Sequence, residues 1–350
     1  MSTQPEPIPH EPEDLREPAE SPPTDALAPE NTPTPSAEWT GERDEPQPDA
    51  AAPAAIGPPP TAEEILSQPL FVSLAQPPAP REERIPHLGH LGLLVVLGIL
   101  GLLGAGMLLQ FALQIHLWGI SSFSQAATDF RYTLSSQAAQ YLISFAACLV
   151  VFPIIWRKPF FEGVHWRGSF ALERSGRLVS AAVLCFFVAM INGMLMPGPT
   201  NAPIDELFRT PGAAWVLFAF GVTLAPFFEE MAFRGFLLPS LCTAYDWTVE
   251  HITGTPRRPL DEDGSPQWTL PAMLVASVIT SIPFALMHGS QTSWSLGPFL
   301  LLIFVSLVLC WVRLSTRSLA ASTMVHACYN FMLFSFMLLG TGGFKHLDKM

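Results

Sequence analysis

Hydrophobic and polar positions are spread very unevenly along the chain. From about residue 91 onwards, long apolar runs alternate with short polar segments, whereas the first 80 residues show no helical periodicity at all. A helix that crosses a bilayer needs about 20 mostly apolar residues. Runs of this kind lie near 91–115, 137–156, 177–197, 213–238, 270–289, 297–313 and 318–340, the sixth being short. The pattern predicts an all-α, polytopic transmembrane helix bundle of about seven spans.

Composition divides the chain near residue 80. Residues 1–80 hold fifteen Asp and Glu against two Arg, and twenty of the 35 prolines, while residues 81–350 hold fifteen acids against sixteen bases. An acidic, proline-rich segment with few large apolar side chains buries too little surface to offset its ordering entropy, so residues 1–80 read as a disordered tail. It lacks the positive start and early apolar core of a signal peptide. A solvated tail is the plain account of it, and a docking arm for a protein partner is the sharper one. The stretch 62–74, AEEILSQPLFVSL, is its one segment with apolar spacing. Residues 81–350 form the membrane domain. Nothing in the chain points to a nucleic-acid partner.

Basic loops set the expected orientation. Arg157, Lys158, Arg167, Arg174 and Arg177 follow the second run, Arg313 and Arg317 follow the sixth, and Arg81 and Arg84 precede the first. With seven spans all three groups fall on one side together with the N-terminus, which is expected to be cytoplasmic in a multi-pass protein of the cell membrane. Cys148, Cys185, Cys242, Cys310 and Cys328 lie in or beside apolar runs without a CxxC spacing, and read as small core residues. His87, His90, His116 and His165 lie at span edges.

Charges inside an apolar run are costly and mark function more often than structure. The fourth run contains FFEEMAFRG. Glu230 and Arg234 are four apart and can pair on one helical face, while Glu229 is turned about 100° from Glu230. This suggests that Glu230 neutralises Arg234 and leaves Glu229 for another task. An ion pair that only fixes helix packing is the competing account. The fifth run ends with Phe284 and His288, four apart and followed by Gly289. The seventh contains His326 and Asn330, again four apart, where an interhelical hydrogen bond would be the structural explanation.

Taken together, a carboxylate, two histidines and an asparagine in three separate spans suit hydrolysis. A Glu with a His can deprotonate water, and a His with an Asn can donate hydrogen bonds to an oxyanion. A zinc site built from two His and a Glu is the rival, but HExxH is absent and no two histidines have ligand spacing on one helix. There is no GxSxG. A proton-relaying transporter would be expected to show an inverted repeat or paired broken helices, and none is evident.

The set Glu229-Glu230-Met-Ala-Phe-Arg234, Phe284-Ala-Leu-Met-His288 and His326-Ala-Cys-Tyr-Asn330 resembles the CPBP family, also called ABI. This family contains the type II CAAX prenyl endopeptidases and bacteriocin-processing membrane proteins. The resemblance covers residues 213–340. It implies a glutamate-type intramembrane endopeptidase that needs no cofactor or metal and cleaves a membrane-associated peptide or protein within the lipid bilayer. It implies that Glu229 and His288 activate water, that His326 and Asn330 form the oxyanion hole, and that Glu230, Arg234 and Phe284 support the site. A catalytically silent relative that serves as a binding or accessory factor, and a zinc-dependent intramembrane protease, are the alternatives.

The run boundaries carry one conflict. Glu229 falls about 15 residues into a span entered from outside, about 22 Å deep, and His288 falls at the outer end of its own. The two can meet only if the fifth helix ends inside the membrane or the fourth is shifted.

Overall fold

The computed structural model describes residues 83–196, 212–261 and 264–343. The acidic tail, with its 62–74 segment, and the loop 197–211 lie outside the described residues. The chain forms α1 (Leu88–Gln114), a short α2 (Phe123–Thr128), α3 (Phe130–Trp156), the short α4 (Phe160–Gly163) and α5 (Gly168–Glu173), then α6 (Ser175–Leu195). Next come α7 (Ala213–Val222), α8 (Leu224–Glu230), a π-helical segment Met231–Leu237 and α9 (Leu238–Thr253). It ends with α10 (Leu270–Met287), α11 (Leu296–Thr316) and α12 (Leu319–Gly340). No strand is found among the described residues. Among the described residues, seven helical stretches are long and apolar enough to cross a membrane, as the hydropathy pattern predicts.

The helix ends follow from local chemistry. Asp129 caps α3 through the Arg131 N–H, Thr269 caps α10 through the Ala272 N–H, and Ser318 caps α12 through the Ala321 N–H. Side-chain oxygens at these positions satisfy backbone donors that a helix start leaves free. His87 caps α1, and His90 returns the bond by accepting from the His87 N–H at 3.3 Å. His90 is buried at the start of the span, with its ring edge-on to Trp156, so the first turn of α1 packs against the end of α3.

Small residues let the helices approach closely, the usual packing solution where lipid supplies no hydrophobic drive between them. Ala182, Cys185 and Ala189 of α6 pack on Leu309 and Val312 of α11 and on Ala321 and Val325 of α12. An aromatic group of Phe152, Trp156, Phe160 and Phe236 joins α1, α3 and the π segment. All five cysteines are free thiols, four of them buried.

The fourth span differs most from its expected bounds. It runs from Ala213 to Thr253 instead of ending at residue 238, and it is not one regular helix. At Thr223 the backbone departs to φ −115°, ψ −75°. Pro226 lies just beyond and has no N–H to give the Val222 carbonyl, a standard cause of a kink. Seven residues later the hydrogen bonding widens to i→i+5, with the Leu238 N–H on the Phe233 carbonyl. The next residue, Pro239, cannot donate, so the Arg234 carbonyl loses its helical partner.

The extension to Thr253 places α10. Thr269, at the start of α10, gives its N–H to the Asp246 carboxylate at 2.9 Å and its hydroxyl to the other oxygen. Trp268 donates to the Thr243 hydroxyl. α10 thus runs antiparallel to α9 from the level of Asp246 back to the level of Glu229. His288, the residue that ends α10, therefore lies in the middle of the bundle. α12 continues from His326 to Gly340, about 21 Å further. Glu229 and His288 do meet, because the fourth helix extends well beyond its apolar run and α10 starts at the level of that extension. The sixth span is also longer than the hydropathy suggests, reaching Thr316.

Candidate active site

The polar residues of three spans converge on one cavity of about 690 Å³, lined by Glu229, Phe284, His288, His326 and Asn330 together with Tyr141 of α3. Glu229 Oε2 lies 3.8 Å from His288 Nε2 and 3.8 Å from His326 Nε2. Both distances are outside direct hydrogen bonding. The carboxylate faces the two imidazoles without being locked to either.

The two adjacent carboxylates have different surroundings. The Glu229 side chain is 12% exposed, towards the cavity, and that of Glu230 is 0% exposed. Glu230 Oε1 accepts from Arg234 Nη1 at 2.9 Å, the i,i+4 pair expected from the spacing. Arg234 is itself fully buried, and its other Nη donates to the Ser306 hydroxyl and carbonyl of α11. Its guanidinium lies 4.6 Å from the centre of the Phe284 ring, a cation–π placement that a desolvated site strengthens. Phe284 is 5.1 Å from the His288 ring and 5.9 Å from the His326 ring, centre to centre. The phenylalanine four residues before His288 is thus the common wall between the ion pair and both histidines.

The histidine tautomers follow from their outer nitrogens. His288 Nδ1 is 2.9 Å from the Phe284 carbonyl oxygen. A carbonyl only accepts, so Nδ1 carries the hydrogen and Nε2 of the neutral ring is a free base facing Glu229. His326 Nδ1 is 3.0 Å from Glu230 Oε1. Glu230 is therefore shared between Arg234 and His326, which the helix-face division between Glu229 and Glu230 does not contain. With Nδ1–H given to Glu230, His326 Nε2 carries a hydrogen towards Glu229 only when the ring is protonated. Asn330 donates one amide hydrogen to the Gly221 carbonyl at 2.8 Å. That carbonyl lies beside the kink at Thr223, so Asn330 braces the break that brings α8 to the site. Its NH₂ retains a second hydrogen. Gly221 must lack a side chain, because a Cβ there would stand 2.6 Å from the Phe334 ring.

Every residue singled out in the three motifs lines this cavity or backs directly onto it. Others are visible only in the fold. Tyr141 packs 4.7 Å from the Phe228 ring and, with Thr133 and Gln137, forms the cavity's opposite wall. The signal was present, since Thr133, Gln137 and Tyr141 are a polar stripe at spacing four. Arg313 of α11, expected only as an orienting loop charge, is buried and donates Nε to the Arg234 carbonyl at 3.2 Å. That is the carbonyl left without a helical donor before Pro239. No group of three His, Cys, Asp or Glu placed to hold a metal ion is found among the described residues.

No curated protein and no solved structure matches the chain. A family model does match residues 211–332, a segment that starts just before α7 and holds all three motifs. It is the model described as type II CAAX prenyl endopeptidase, Rce1-like, and the site-bearing segment of this multi-span chain is similar to that family, which is the CPBP family.

Proposed function

We propose that the protein is an intramembrane endopeptidase of the glutamate type, which hydrolyses a peptide bond in a membrane-associated protein or peptide. The observation that carries this reading is the position of the Glu229 carboxylate, open to a cavity and equidistant from two imidazoles. Glu229 takes a proton from a water held between it and His288 Nε2. The water oxygen adds to the scissile carbonyl carbon, and the C–N bond then breaks as Glu229 passes its proton to the leaving nitrogen. When its ring is protonated, His326 donates Nε2–H to the developing oxyanion, and the second Asn330 amide hydrogen joins it. Preorganised donors of this kind typically contribute about 10²–10³-fold each. Glu230, Arg234, Ser306 and Phe284 hold the two histidines and the π segment in place.

The N-terminus is assigned to the cytoplasmic side of the cell membrane. The loops with Arg157, Lys158, Arg167 and Arg174, and with Arg313 and Arg317, share that side. Residues 1–80 are assigned as a tail that catalysis does not require, and residues 81–350 as the catalytic domain.

The test is a comparison of membrane-associated peptides in cells carrying wild type or Glu229→Gln, followed by turnover of the identified peptide by purified protein. Glu229→Gln keeps the shape and removes the proton acceptor, so turnover falls by about 10²–10⁴-fold at an unchanged melting temperature. Strong chelators leave the wild-type rate unchanged. Chelator inhibition reversed by stoichiometric zinc would transfer the water to a metal held by the same side chains.

A further inference from the structure

A second polar cavity, of about 300 Å³, lies at one end of the bundle. Its walls are the last turn of α11, the segment between α9 and α10 with the start of α10, and the segment between α4 and α5, and its polar lining includes His165, Arg258, Ser265, Gln267, Arg313 and Arg317. Among the described residues no carboxylate lines it. Arg317 pairs with Asp261 outside the lining. Arg313 has no such partner. Its side chain is 3% exposed and donates only to the carbonyl oxygens of Arg234 and Val164. No carboxylate among the described residues pairs with the Arg258 side chain either.

A buried guanidinium facing only neutral carbonyls is costly to keep. One that also lines a cavity with further donors is arranged to receive an anion. His165 adds to this, since its Nδ1 is buried without a partner. Burial, followed by the charges of Arg313, Arg167, Lys158 and Arg317, pushes its pKa down to about 3, so the cavity wall carries a net positive field. The C-terminal dipole of α11 opposes an anion here, but it amounts to about half a charge near the helix end, against the full charges of Arg258 and Arg313. Forked guanidiniums with hydroxyl and amide donors beside them suit the several oxygens of a phosphate better than the two of a carboxylate. The cavity also lies where the apolar spans end, the level at which basic pockets between helices take lipid headgroups.

We propose that this cavity is a binding site for the phosphate group of an anionic ligand, whether a phospholipid headgroup at the membrane face or free phosphate. The bound oxygens complete the charge of Arg313, which in turn holds the Arg234 carbonyl in the π segment. Phosphate at this end of the bundle therefore stabilises the segment that carries the Glu230–Arg234 pair.

The full-length protein, purified and delipidated in neutral detergent, is titrated with inorganic phosphate against chloride at matched ionic strength. It is also placed in nanodiscs of phosphatidylcholine alone or mixed with phosphatidylglycerol. Melting temperature is read in all cases, with Arg258→Gln, Arg258→Lys and Arg313→Gln as variants. The expected result is a saturable rise in melting temperature with a phosphate source, about tenfold weaker in Arg258→Gln and largely kept in Arg258→Lys. Arg258 is at the exposed rim, so its variants carry the test even where Arg313→Gln fails to fold. A rise with inorganic phosphate assigns the site to free phosphate. A rise only with phosphatidylglycerol, with that lipid retained in native mass spectrometry, assigns it to a headgroup. No rise beyond chloride from either source, or a rise unchanged in Arg258→Gln, overturns the proposal.

Discussion

His326 of α12 is hydrogen-bonded to Glu230 of α8, with 3.0 Å between Nδ1 and Oε1, and the same carboxylate oxygen holds Arg234. One buried oxygen therefore links an ion pair within one span to an imidazole that reaches into the cavity from another. The adjacent carboxylate, Glu229, meets the same imidazole from its opposite nitrogen. His326 is flanked by two acids, one sealed and one open to the cavity.

This sharing sets the expected behaviour of Glu230→Gln. The change leaves the Arg234 guanidinium, 0% exposed, without its counter-charge, and breaking a buried pair typically costs about 3–5 kcal/mol. It also takes away the carboxylate that accepts the His326 Nδ1–H. The variant should melt earlier than Glu229→Gln and be inactive as well. Replacing Glu230 and Arg234 together by Gln and Met should recover part of the melting temperature without restoring turnover. Recovery of turnover in the double variant would show that Glu230 acts on the site only through Arg234.

Local spacing made some of this legible and long-range packing the rest. The pairs at spacing four, Glu230 with Arg234 and Phe284 with His288, are fixed by helical geometry, and the structure forms both contacts. The Glu230–His326 bond joins residues 96 apart in sequence, and no single-helix argument reaches it. Hydropathy ends the fourth span too early because residues 239–253 carry Asp246, Glu250 and His251, which lower it without ending the helix. Their partners are tertiary, with Asp246 held by Thr269 and Glu250 by Arg84. Pro239 is visible as a residue, but the donor that Arg313 gives to the Arg234 carbonyl comes from 79 residues away.

Thr269 ties the start of α10 to α9, and its hydroxyl serves both the Ala272 N–H and Asp246. Asp246 is 1% exposed. Thr269→Ala removes the cap and one partner of a buried carboxylate, and cap loss alone costs about 0.5–2 kcal/mol. A lower melting temperature, with turnover per folded molecule preserved at low temperature, is the expected outcome in a detergent melt. An unchanged melting temperature would mean that the depth of α10 is set elsewhere.

His165 predicts an acid limb of stability. Its folded pKa, about 3, lies below the ordinary value of 6.5, so between those values the unfolded chain binds the extra proton. Stability then rises with pH across that window and is lost as pH falls through it. Melting temperature should fall from about pH 6.5 downwards, and His165→Asn, which does not titrate, should flatten that slope. The Arg313, Arg167, Lys158 and Arg317 charges remain in both proteins, so the difference between the two curves isolates the imidazole. Parallel curves would remove His165 from the account.

Asn330 has two separable tasks, and its variants distinguish them. Its amide holds the Gly221 carbonyl at 2.8 Å beside the kink that sets the direction of α8. Asn330→Ala leaves that carbonyl without its donor, which costs about 1–3 kcal/mol where the group is buried. If the second amide hydrogen also supports the oxyanion, turnover of the folded fraction should fall by about 10²–10³-fold, more than a loss of stability explains at a temperature where the protein stays folded. Asn330→Asp is the sharper probe, because it places carboxylate oxygens against the Gly221 carbonyl and against the oxyanion. It should lower both melting temperature and turnover below the alanine variant. Measuring melting temperature together with turnover well below it decides the matter. A variant that melts early but turns over normally in the cold would confine Asn330 to bracing the kink and leave His326 as the oxyanion donor.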